Sequence, residues 1–172
     1  MTHMTVSART PSQTVGPFFH FCLTDTARGR LFPESTSRVR LNIHVLDGAG
    51  DPVPDGIVEI WQASDIAGGD AGFGRLGTDD EGSCEFDTVR PCDPPQGAAH
   101  INVCLFARGL LRHLFTRVYF ADDPRLSNDP VLAMVPQERR ATLIARNVGA
   151  RDRCYGFTIH LQGPEETVFF DV

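Results

Sequence analysis

Turn-forming residues recur at short and regular intervals between residues 47 and 97. Four clusters rich in Gly, Pro and Asp mark these turns: DGAGDPVPDG (47–56), DIAGGDAGFG (65–74), DDEG (79–82) and RPCDPPQG (90–97). Gly and Asp tolerate the tight backbone conformations of turns, and Pro fixes one of their dihedral angles. Turns this closely spaced leave room only for short strands, and they favour a β-sandwich.

The segments between the turns alternate apolar and polar residues with the period of two that is typical of a half-buried strand. In RVRLNIHVL (38–46) the apolar residues Val39, Leu41, Ile43 and Val45 point to one face and the polar residues to the other. Further strand candidates are IVEIWQ (57–62), SCEFDTV (83–89), HINVCLF (100–106), HLFTRVYF (113–120), YGFTIHL (155–161) and TVFF (167–170). Seven strands are enough for a sandwich, so we predict an all-β fold.

One helix is predicted beside the strands. Pro136 suits the first turn of a helix, and Glu138 suits the positive end of the helix dipole. Leu143 and Ile144 would then form the buried stripe. The length fits one domain, and we expect a single β-sandwich over 10–172 with one short helix lying on it, preceded by a flexible N-terminus at 1–9.

The charged residues exclude several classes of function. All sixteen basic residues are Arg, and the absence of Lys excludes a Schiff base, a lysine general base and a phosphate-loop lysine. The formal net charge of -6 argues against a nucleic-acid surface, which needs clustered positive charge. No segment of the sequence is long and apolar enough to span a membrane, so no membrane partner is expected.

The cysteines indicate a reducing environment. Cys22, Cys84, Cys92, Cys104 and Cys154 are odd in number and show no Cys-x-x-Cys spacing, so neither a disulfide framework nor a zinc site is indicated. We interpret them as buried free thiols. Since the first thirty residues carry polar groups throughout and do not resemble a secretory signal, we expect a cytoplasmic location.

One histidine lies in a pattern of chemical interest. In GAAHINVCLFARG (97–109), His100 and Asn102 lie two residues apart on a predicted strand and therefore point to the same face. Two histidines at this spacing commonly hold a transition metal, but here an amide takes the second place. The other histidines lie in irregular segments or in alternating strand patterns, where an ordinary core or surface position explains them.

Three stretches taken together resemble one protein family: TPSQTVGPFF (10–19), VEIWQA (58–63) with TVRP (88–91), and AHINVCLFARG followed by HLFTRVYF (99–120). They are similar to the intradiol ring-cleaving dioxygenases, and the C-terminal YGFTIHLQGPEETVFFDV extends this likeness to the end of the chain. The resemblance implies a prealbumin-like β-sandwich. It also implies a ferric iron bound by two tyrosinates and two histidines, and insertion of O2 between the two hydroxylated carbons of a catechol.

Most of the iron ligands that the resemblance implies are missing from this chain. His100 occupies one ligand position, and Asn102 stands where a second histidine would be. The two tyrosinates would fall near Gly69 and Pro94, while the only two tyrosines of the chain lie elsewhere. Ferric iron prefers anionic oxygen ligands and is poorly held by one imidazole and an amide. We therefore expect this chain to contain no metal and no catalytic residue, and we interpret His100 as a buried hydrogen-bonded residue.

Within the family, the chain most resembles the iron-free, alpha-type chain of two-chain enzymes, whose Fe(3+) is held by a beta-type partner chain. The likeness implies that Thr14, Gly16 and Pro17 line the substrate pocket opposite the iron, and that Arg108 faces the carboxylate of an aromatic acid. A Gly-Pro pair fixes a tight backbone close to a flat ring, and a guanidinium can fork onto a carboxylate. The chain would then be an inactive subunit of a hetero-oligomer.

Other interpretations remain open. A transthyretin-like small-molecule binding module would have the same sandwich without a catalytic partner. A self-sufficient dioxygenase acting on another catechol would need the missing tyrosines. At residue level, Arg108 could be a surface arginine beside a hairpin turn at Gly109, and Thr14 and Pro17 could belong to a terminal arm that docks on a partner.

Overall fold

The computed structural model describes residues 10–63, 72–92, 94–149 and 153–171, so the terminus predicted at 1–9 lies outside the described residues. Within these ranges the strands are β1 (Arg38–Leu46), β2 (Ile57–Gln62), β3 (Gly72–Gly77), β4 (Ser83–Val89), β5 (His100–Phe106), β6 (Leu114–Phe120), β7 (Ile144–Asn147) and β8 (Cys154–His160). The α-helices are α1 (Phe18–Thr24) and α2 (Pro130–Met134), and two 3-10 helices cover Leu126–Asn128 and Gln137–Leu143. The chain is therefore built mainly of strands with a few short helices, as predicted.

Strands with a clear apolar alternation have the predicted bounds. This holds for β1, β2, β4 and β5, and the predictions for β6 and β8 differ from the structure by one residue. In β1 the side chains of Leu41, Ile43 and Val45 are fully buried, as the alternation requires. The segment predicted as a strand at 167–170 forms only a single bridge, between Phe170 and Phe115.

The single helix predicted after Pro136 is wrong in type and in extent. Pro136 precedes a 3-10 helix, and Ile144, expected on the buried stripe of the helix, begins strand β7 instead. The backbone of Ile144 and Ala145 pairs with the end of β6, so tertiary pairing overrides the local helical pattern. Leu143 is fully buried, as predicted, whereas α1 and α2 were not predicted from the sequence.

The eight strands are hydrogen-bonded in the order β3-β2-β5-β6-β7-β8-β1-β4. Strand β7 connects the two parts of the sheet through short ladders, because it pairs over only two residues with β6 and over two residues with β8. Longer ladders lie on both sides of it: β2, β3, β5 and β6 pair antiparallel, while β1 pairs antiparallel with β4 and parallel with β8. The sheet thus consists of two larger halves joined by one short strand.

A short segment before β1 nearly closes this sheet. Arg28 pairs with Arg75 in the edge strand β3, and Arg30 pairs with Asp87 in the edge strand β4. The N–H of Asp87 also donates to the carbonyl of Gly29 at 2.8 Å. The two ends of the strand order are therefore bridged by residues 28–30.

The core lies between the inward faces of the two halves. Its fully buried members include Leu41, Ile43, Ile60, Phe86, Ile101, Leu105, Val118, Phe120 and Ile159. A smaller apolar cluster of Ala98, Tyr119, Leu132, Val135 and Leu143 fixes the connection after β6 against the start of β5. No helix among the described residues has the length and apolarity that a membrane crossing requires.

None of the five cysteines forms a disulfide. Cys84 and Cys104 are buried, and burial raises the pKa of each thiol to about 12. Cys22 is exposed, and Cys92 and Cys154 are half-buried. The interpretation of the cysteines as buried thiols therefore fits two of them, and these two remain protonated near neutral pH.

Candidate functional site

Three segments that are distant in sequence meet at one end of the sheet. They are the N-terminal arm (10–17), the loop between β1 and β2 (47–56) and the hairpin between β5 and β6 (107–113). The N–H of Gly109 donates to the Thr14 hydroxyl oxygen at 2.7 Å, and the Arg108 Nε donates to the Asp55 carboxylate. We call Thr14, Asp55, Arg108 and Gly109 the arm–hairpin site.

The hairpin presents Arg108 at its tip. The N–H of Leu110 donates to the carbonyl of Ala107 at 3.3 Å, which closes the turn. Gly109 has φ +90, a left-handed conformation that glycine adopts without strain. A Cβ at position 109 would have no atom within 4 Å. Glycine therefore suits this position because of its positive φ, and not because neighbouring atoms exclude a side chain. The Arg108 side chain is 57% exposed and thus open to a ligand.

A buried threonine forms hydrogen bonds with the turn that contains Asp55. The Thr78 hydroxyl donates to the carbonyl of Val53 at 2.6 Å and accepts from the N–H of Gly56 at 2.9 Å. The backbone N–H of Thr78 donates in turn to the carbonyl of Gly56 at 2.9 Å. Because Thr78 is only 4% exposed, these bonds are shielded from water and fix the backbone on both sides of Asp55.

The ion pair leaves part of the guanidinium free. The Asp55 carboxylate accepts a hydrogen bond from Nε of Arg108, and within the described ranges no protein group forms a hydrogen bond with the two terminal nitrogens. These two nitrogens present parallel N–H donors of the kind that bind a carboxylate in a bidentate manner. Recognition of a substrate carboxylate by Arg108 stays a prediction of the sequence.

Gly16 and Pro17 continue the arm into helix α1. The carbonyl of Gly16 accepts from the N–H of Phe19 at 3.2 Å, and Pro17 is the N-cap residue of α1. Both residues are exposed. The ring of Phe19 lies 6.0 Å from the ring of Phe106, which places the start of α1 on the last residue of β5. The structure therefore joins Thr14 directly to the hairpin and leaves Gly16 and Pro17 beside it.

A shallow cavity of about 180 Å³ lies between the arm and the hairpin. Its lining includes Val15, Phe106, Leu110, Leu111 and His113. The wall is mainly apolar, and Leu111 at its rim is 61% exposed. The arm and the hairpin thus enclose a shallow, partly apolar recess.

His100 and Asn102 lie on the outer face of β5, as the spacing predicted. His100 is half-buried, and its Nδ1 lies 3.0 Å from the carbonyl of Ala98. Burial lowers the pKa of His100, and the nearby Arg117 adds to this effect, so the ring is neutral near pH 7. Asn102 is exposed and pairs in register with Trp61 and Arg117. The prediction of a hydrogen-bonded histidine agrees with this geometry, although His100 is half-buried and not fully buried.

The donors around His100 do not fit a ferric ion. The ring of Tyr119 lies 5.5 Å from that of His100, but its hydroxyl donates to Asp129 at 3.1 Å. Burial raises the pKa of Tyr119 to about 12, and the hydroxyl already donates to Asp129, so the tyrosinate that ferric iron prefers is harder to form here than at an ordinary tyrosine. In the described part of the chain, no three His, Cys, Asp or Glu residues lie close enough to hold a metal ion. Gly69 lies outside the described residues, and Pro94 has no donor side chain.

Asp129 anchors the start of the His100 strand. Its carboxylate accepts from the N–H groups of Ala98 at 2.9 Å, Val131 at 2.9 Å and Leu132 at 2.8 Å. Burial alone would raise the pKa of Asp129, but these N–H groups and the Tyr119 hydroxyl outweigh burial and lower it. The sequence signal for this cap is the Asp-Pro pair that begins α2, which the sequence analysis missed.

Asp55 and Thr78 were also missed by the sequence analysis. The Pro-Asp-Gly stretch at 54–56 marks a turn, but it does not show which cation the aspartate meets. Thr78 lies 22 residues beyond Gly56, and its two hydrogen bonds depend on the packing of β2 against β3. Only the folded chain brings these residues together with Arg108.

The fold and the strand arrangement have counterparts among known proteins. The family model described as "Dioxygenase" matches residues 23–163. The dioxygenase domain of a dioxygenase carbohydrate-binding protein fusion from Streptomyces sp. SirexAA-E superposes with a TM-score of 0.62 at 26% identity, covering 83% of this chain and 89% of that domain. The chain belongs to the intradiol ring-cleaving dioxygenase family, as the sequence motifs predicted.

Within the family, similar chains include both chain types of protocatechuate 3,4-dioxygenase. The protocatechuate 3,4-dioxygenase alpha chain of Burkholderia cepacia is 41% identical over 198 residues, covering 98% of this chain and 100% of the relative. The alpha chain from Pseudomonas putida is 36% identical, with coverages of 94% and 96%. The beta chain from Burkholderia cepacia is 34% identical over 130 residues, with coverages of 63% and 55%.

Proposed function

We propose that this chain is the alpha-type subunit of a protocatechuate 3,4-dioxygenase. With a beta-type subunit it would cleave 3,4-dihydroxybenzoate with O2 to 3-carboxy-cis,cis-muconate in aromatic catabolism. The observation that carries the proposal is the 41% identity to an alpha chain, which extends over all of that relative. The match to a beta chain supports a hetero-oligomer of two related chains. A cytoplasmic location and a single sandwich domain over 10–172 belong to the same proposal.

The Fe(3+) of the family is assigned to the beta-type partner. His100 keeps one donor, but Asn102 and Pro94 offer no anionic oxygen, and the hydrogen-bonded phenol of Tyr119 is neutral. A hard ferric ion needs a stronger anionic donor set than these residues provide. We therefore assign no chemical step to the side chains of this chain and give it a role in building the substrate pocket.

The arm–hairpin site is the part of the chain that suits such a role. Thr14, Gly16 and Pro17 would form a wall of the pocket, and Arg108 would bind the carboxylate of the aromatic acid. Support comes from the Thr14–Gly109 hydrogen bond, which ties the arm to the residue after Arg108, and from the exposed guanidinium with its open terminal nitrogens. A guanidinium and a carboxylate form two parallel charge-assisted hydrogen bonds.

Coexpression with a beta-type chain tests the subunit assignment. The complex should cleave protocatechuate and contain iron, whereas this chain alone should be inactive, colourless and free of stoichiometric iron. The measurements are oxygen uptake, product absorbance and elemental analysis of both preparations. Stoichiometric iron or a tyrosinate charge-transfer band in the isolated chain would contradict the assignment. A well-behaved chain that binds small aromatics but never a beta-type chain would instead favour a transthyretin-like binding module.

Substitution of Arg108 by Ala in the complex tests carboxylate recognition. Loss of a charge-assisted hydrogen bond should reduce kcat/KM for protocatechuate about ten- to a hundredfold, equivalent to about 1.5–3 kcal/mol. Catechol has no carboxylate, so its turnover should change much less, and the preference between the substrates should narrow. Arg112→Ala is the matched control, because Arg112 is an exposed arginine of the same hairpin. Equal losses on both substrates would show that Arg108 supports only the fold or the assembly.

A further inference from the structure

We propose that Asp55 is a positioning residue that holds the Arg108 guanidinium in the orientation needed to bind the substrate carboxylate. The inference rests on the proposed function, because it assumes that Arg108 binds this carboxylate. It adds a residue from a different part of the chain, the loop between β1 and β2, that would act through Arg108 without touching the substrate.

The contact between the two side chains supports this role. Asp55 accepts from Nε, which lies on the inner edge of the guanidinium, and so leaves the outer edge with its two terminal nitrogens open. The Asp55 side chain is 26% exposed and that of Arg108 is 57% exposed, so the aspartate is half-buried and the arginine is open to solvent. A ligand approaching from solvent therefore meets Arg108 before it meets Asp55.

Asp55 is fixed tightly enough to position another side chain. Thr78 is bonded to the carbonyl of Val53 and to the N–H of Gly56, which flank Asp55 on both sides. Gly56 also fits closely here, since a Cβ at this position would lie 3.3 Å from the Thr78 hydroxyl oxygen. The turn is thus tied to a buried residue, whereas Arg108 lies on an exposed hairpin tip.

The backbone of the hairpin tip is held separately from the Arg108 side chain. The hydrogen bond from Gly109 to Thr14 joins the tip to the arm, and Asp55 holds the guanidinium. Arginine has many rotamers, and immobilising such a side chain on binding costs conformational entropy. A guanidinium already held by Asp55 has lost part of this freedom before the substrate arrives, so the bound state is favoured.

Stability alone gives a weak reason for this ion pair. Exposed ion pairs contribute little to the free energy of folding. The aspartate also carries a negative charge close to the place where an anionic substrate would bind, which opposes binding. An experiment must therefore separate the charge of Asp55 from its ability to accept a hydrogen bond from Nε.

A comparison of Asp55→Ala with Asp55→Asn in the assembled complex separates the charge of Asp55 from its role as a hydrogen-bond acceptor. Both variants remove the negative charge, but only the asparagine keeps an oxygen that can accept from the Arg108 Nε. We expect the KM for protocatechuate to be about three- to tenfold higher in the alanine variant than in the asparagine variant, with kcat unchanged. With catechol, the two variants should have the same KM.

The controls distinguish the two proposals. Asp51 lies in the same loop and is exposed, so Asp51→Ala and Asp51→Asn remove the same charge without contacting Arg108 and should not differ from each other. In an Arg108→Ala background the difference between the two Asp55 variants should disappear. Melting temperatures of all variants verify folding.

Two results would overturn the inference. Equal protocatechuate KM values for Asp55→Ala and Asp55→Asn, in a complex where Arg108→Ala does weaken protocatechuate selectively, would reject the positioning role and leave the proposed function intact. An Arg108→Ala complex with unchanged substrate preference would reject carboxylate recognition by Arg108, and the role of Asp55 with it.

Discussion

At the scale of single residues, Asp129 connects more parts of the structure than any residue that the sequence motifs suggested. Its carboxylate accepts from the backbone before β5, from the first turn of α2 and from the phenol of Tyr119 on β6. All of these partners are donors, so the carboxylate is needed as a pure acceptor. The residue is 3% exposed, and water cannot replace a lost bond easily.

Asp129→Asn should therefore destabilise the fold. An asparagine keeps one oxygen, but its amide group would face the N–H of Ala98, which now bonds to the second carboxylate oxygen. Loss of a hydrogen bond to a charged group costs about 1.5–3 kcal/mol. Urea denaturation at pH 7 would measure the loss, and Asp80→Asn, a change to an exposed turn residue, is the matched control.

The difference in unfolding free energy between wild type and Asp129→Asn should also depend on pH. The pKa of Asp129 is lowered in the folded state, so the unfolded chain binds its proton first, at about pH 3.9. The stabilisation is present above that pH and is lost as the pH falls through the lower folded pKa. The difference in unfolding free energy between wild type and Asp129→Asn should thus be largest at neutral pH and shrink below about pH 4. A constant difference down to pH 3 would contradict this account.

Single residues also show how far the sequence could predict the site. His100 and Asn102 were predicted to share a strand face, because the period of a strand is fixed by backbone geometry. The pairing of Arg108 with Asp55 was not predictable, since the two residues are 53 positions apart and a turn motif contains no information on its partner. Thr14 was expected beside the substrate, and the structure adds that its hydroxyl accepts from the hairpin backbone.

At the scale of elements, the turn before β2 depends on its contact with the end of β3. Thr78 follows β3 directly, and its hydroxyl forms hydrogen bonds with both sides of the 53–56 turn. Thr78→Val keeps the shape of the side chain but leaves the Val53 carbonyl and the Gly56 N–H without this partner. Unsatisfied buried groups of this kind cost about 1–3 kcal/mol, so we expect a lower unfolding free energy in calorimetry or urea titration.

Thr78→Ser is the conservative counterpart, because serine keeps the hydroxyl and loses only a methyl group. We expect it to retain most of the stability that Thr78→Val loses. The protocatechuate KM of the complex should rise with Thr78→Val for the same reason as with Asp55→Ala, since the turn would no longer hold Asp55 in place. A valine variant as stable as wild type would show that water molecules replace the hydrogen bonds that the Thr78 hydroxyl forms with the turn.

Strand β3 shows why some elements escaped prediction. Its sequence, GFGRLG, contains three glycines, and its first three residues were interpreted as part of the turn at 65–74, because glycine is rare in strands. The glycines are needed because other groups approach closely: a Cβ on Gly74 would lie 2.8 Å from the carbonyl oxygen of Arg28. The bounds of β1, β2, β4 and β5 were predicted to the residue, whereas β3 and the two-residue ladders of β7 depend on tertiary contacts.

At the scale of the whole molecule, helix α1 leaves an apolar surface uncovered. None of its residues is buried, and Phe18 and Phe21 are 76% and 70% exposed. Residues three positions apart lie on the same side of a helix, so the two rings form one patch next to the arm–hairpin site. An exposed patch of this kind favours association with another protein surface.

The isolated chain should therefore self-associate, and Phe18→Ser combined with Phe21→Ser should reduce this. Sedimentation velocity across a range of concentrations measures the effect, and coexpression with a beta-type chain should suppress self-association of the wild type. Met134→Ser is the matched control, because Met134 is 76% exposed but lies on α2. A wild-type chain that stays monomeric at micromolar concentration would rule out this role of α1.

The backbone pairing of residues 28–30 with both edge strands can protect these edges while the chain is being synthesised. Unpaired edge strands of a sheet are sites at which polypeptides aggregate. Synthesis on the ribosome runs from the N-terminus, so residues 28–30 leave the exit tunnel before either edge strand does. Their partners, Arg75 and Asp87, then emerge only twelve residues apart. The middle of each edge can thus be capped by a segment of the same chain as soon as it appears, while most of the second half of the protein is still being translated.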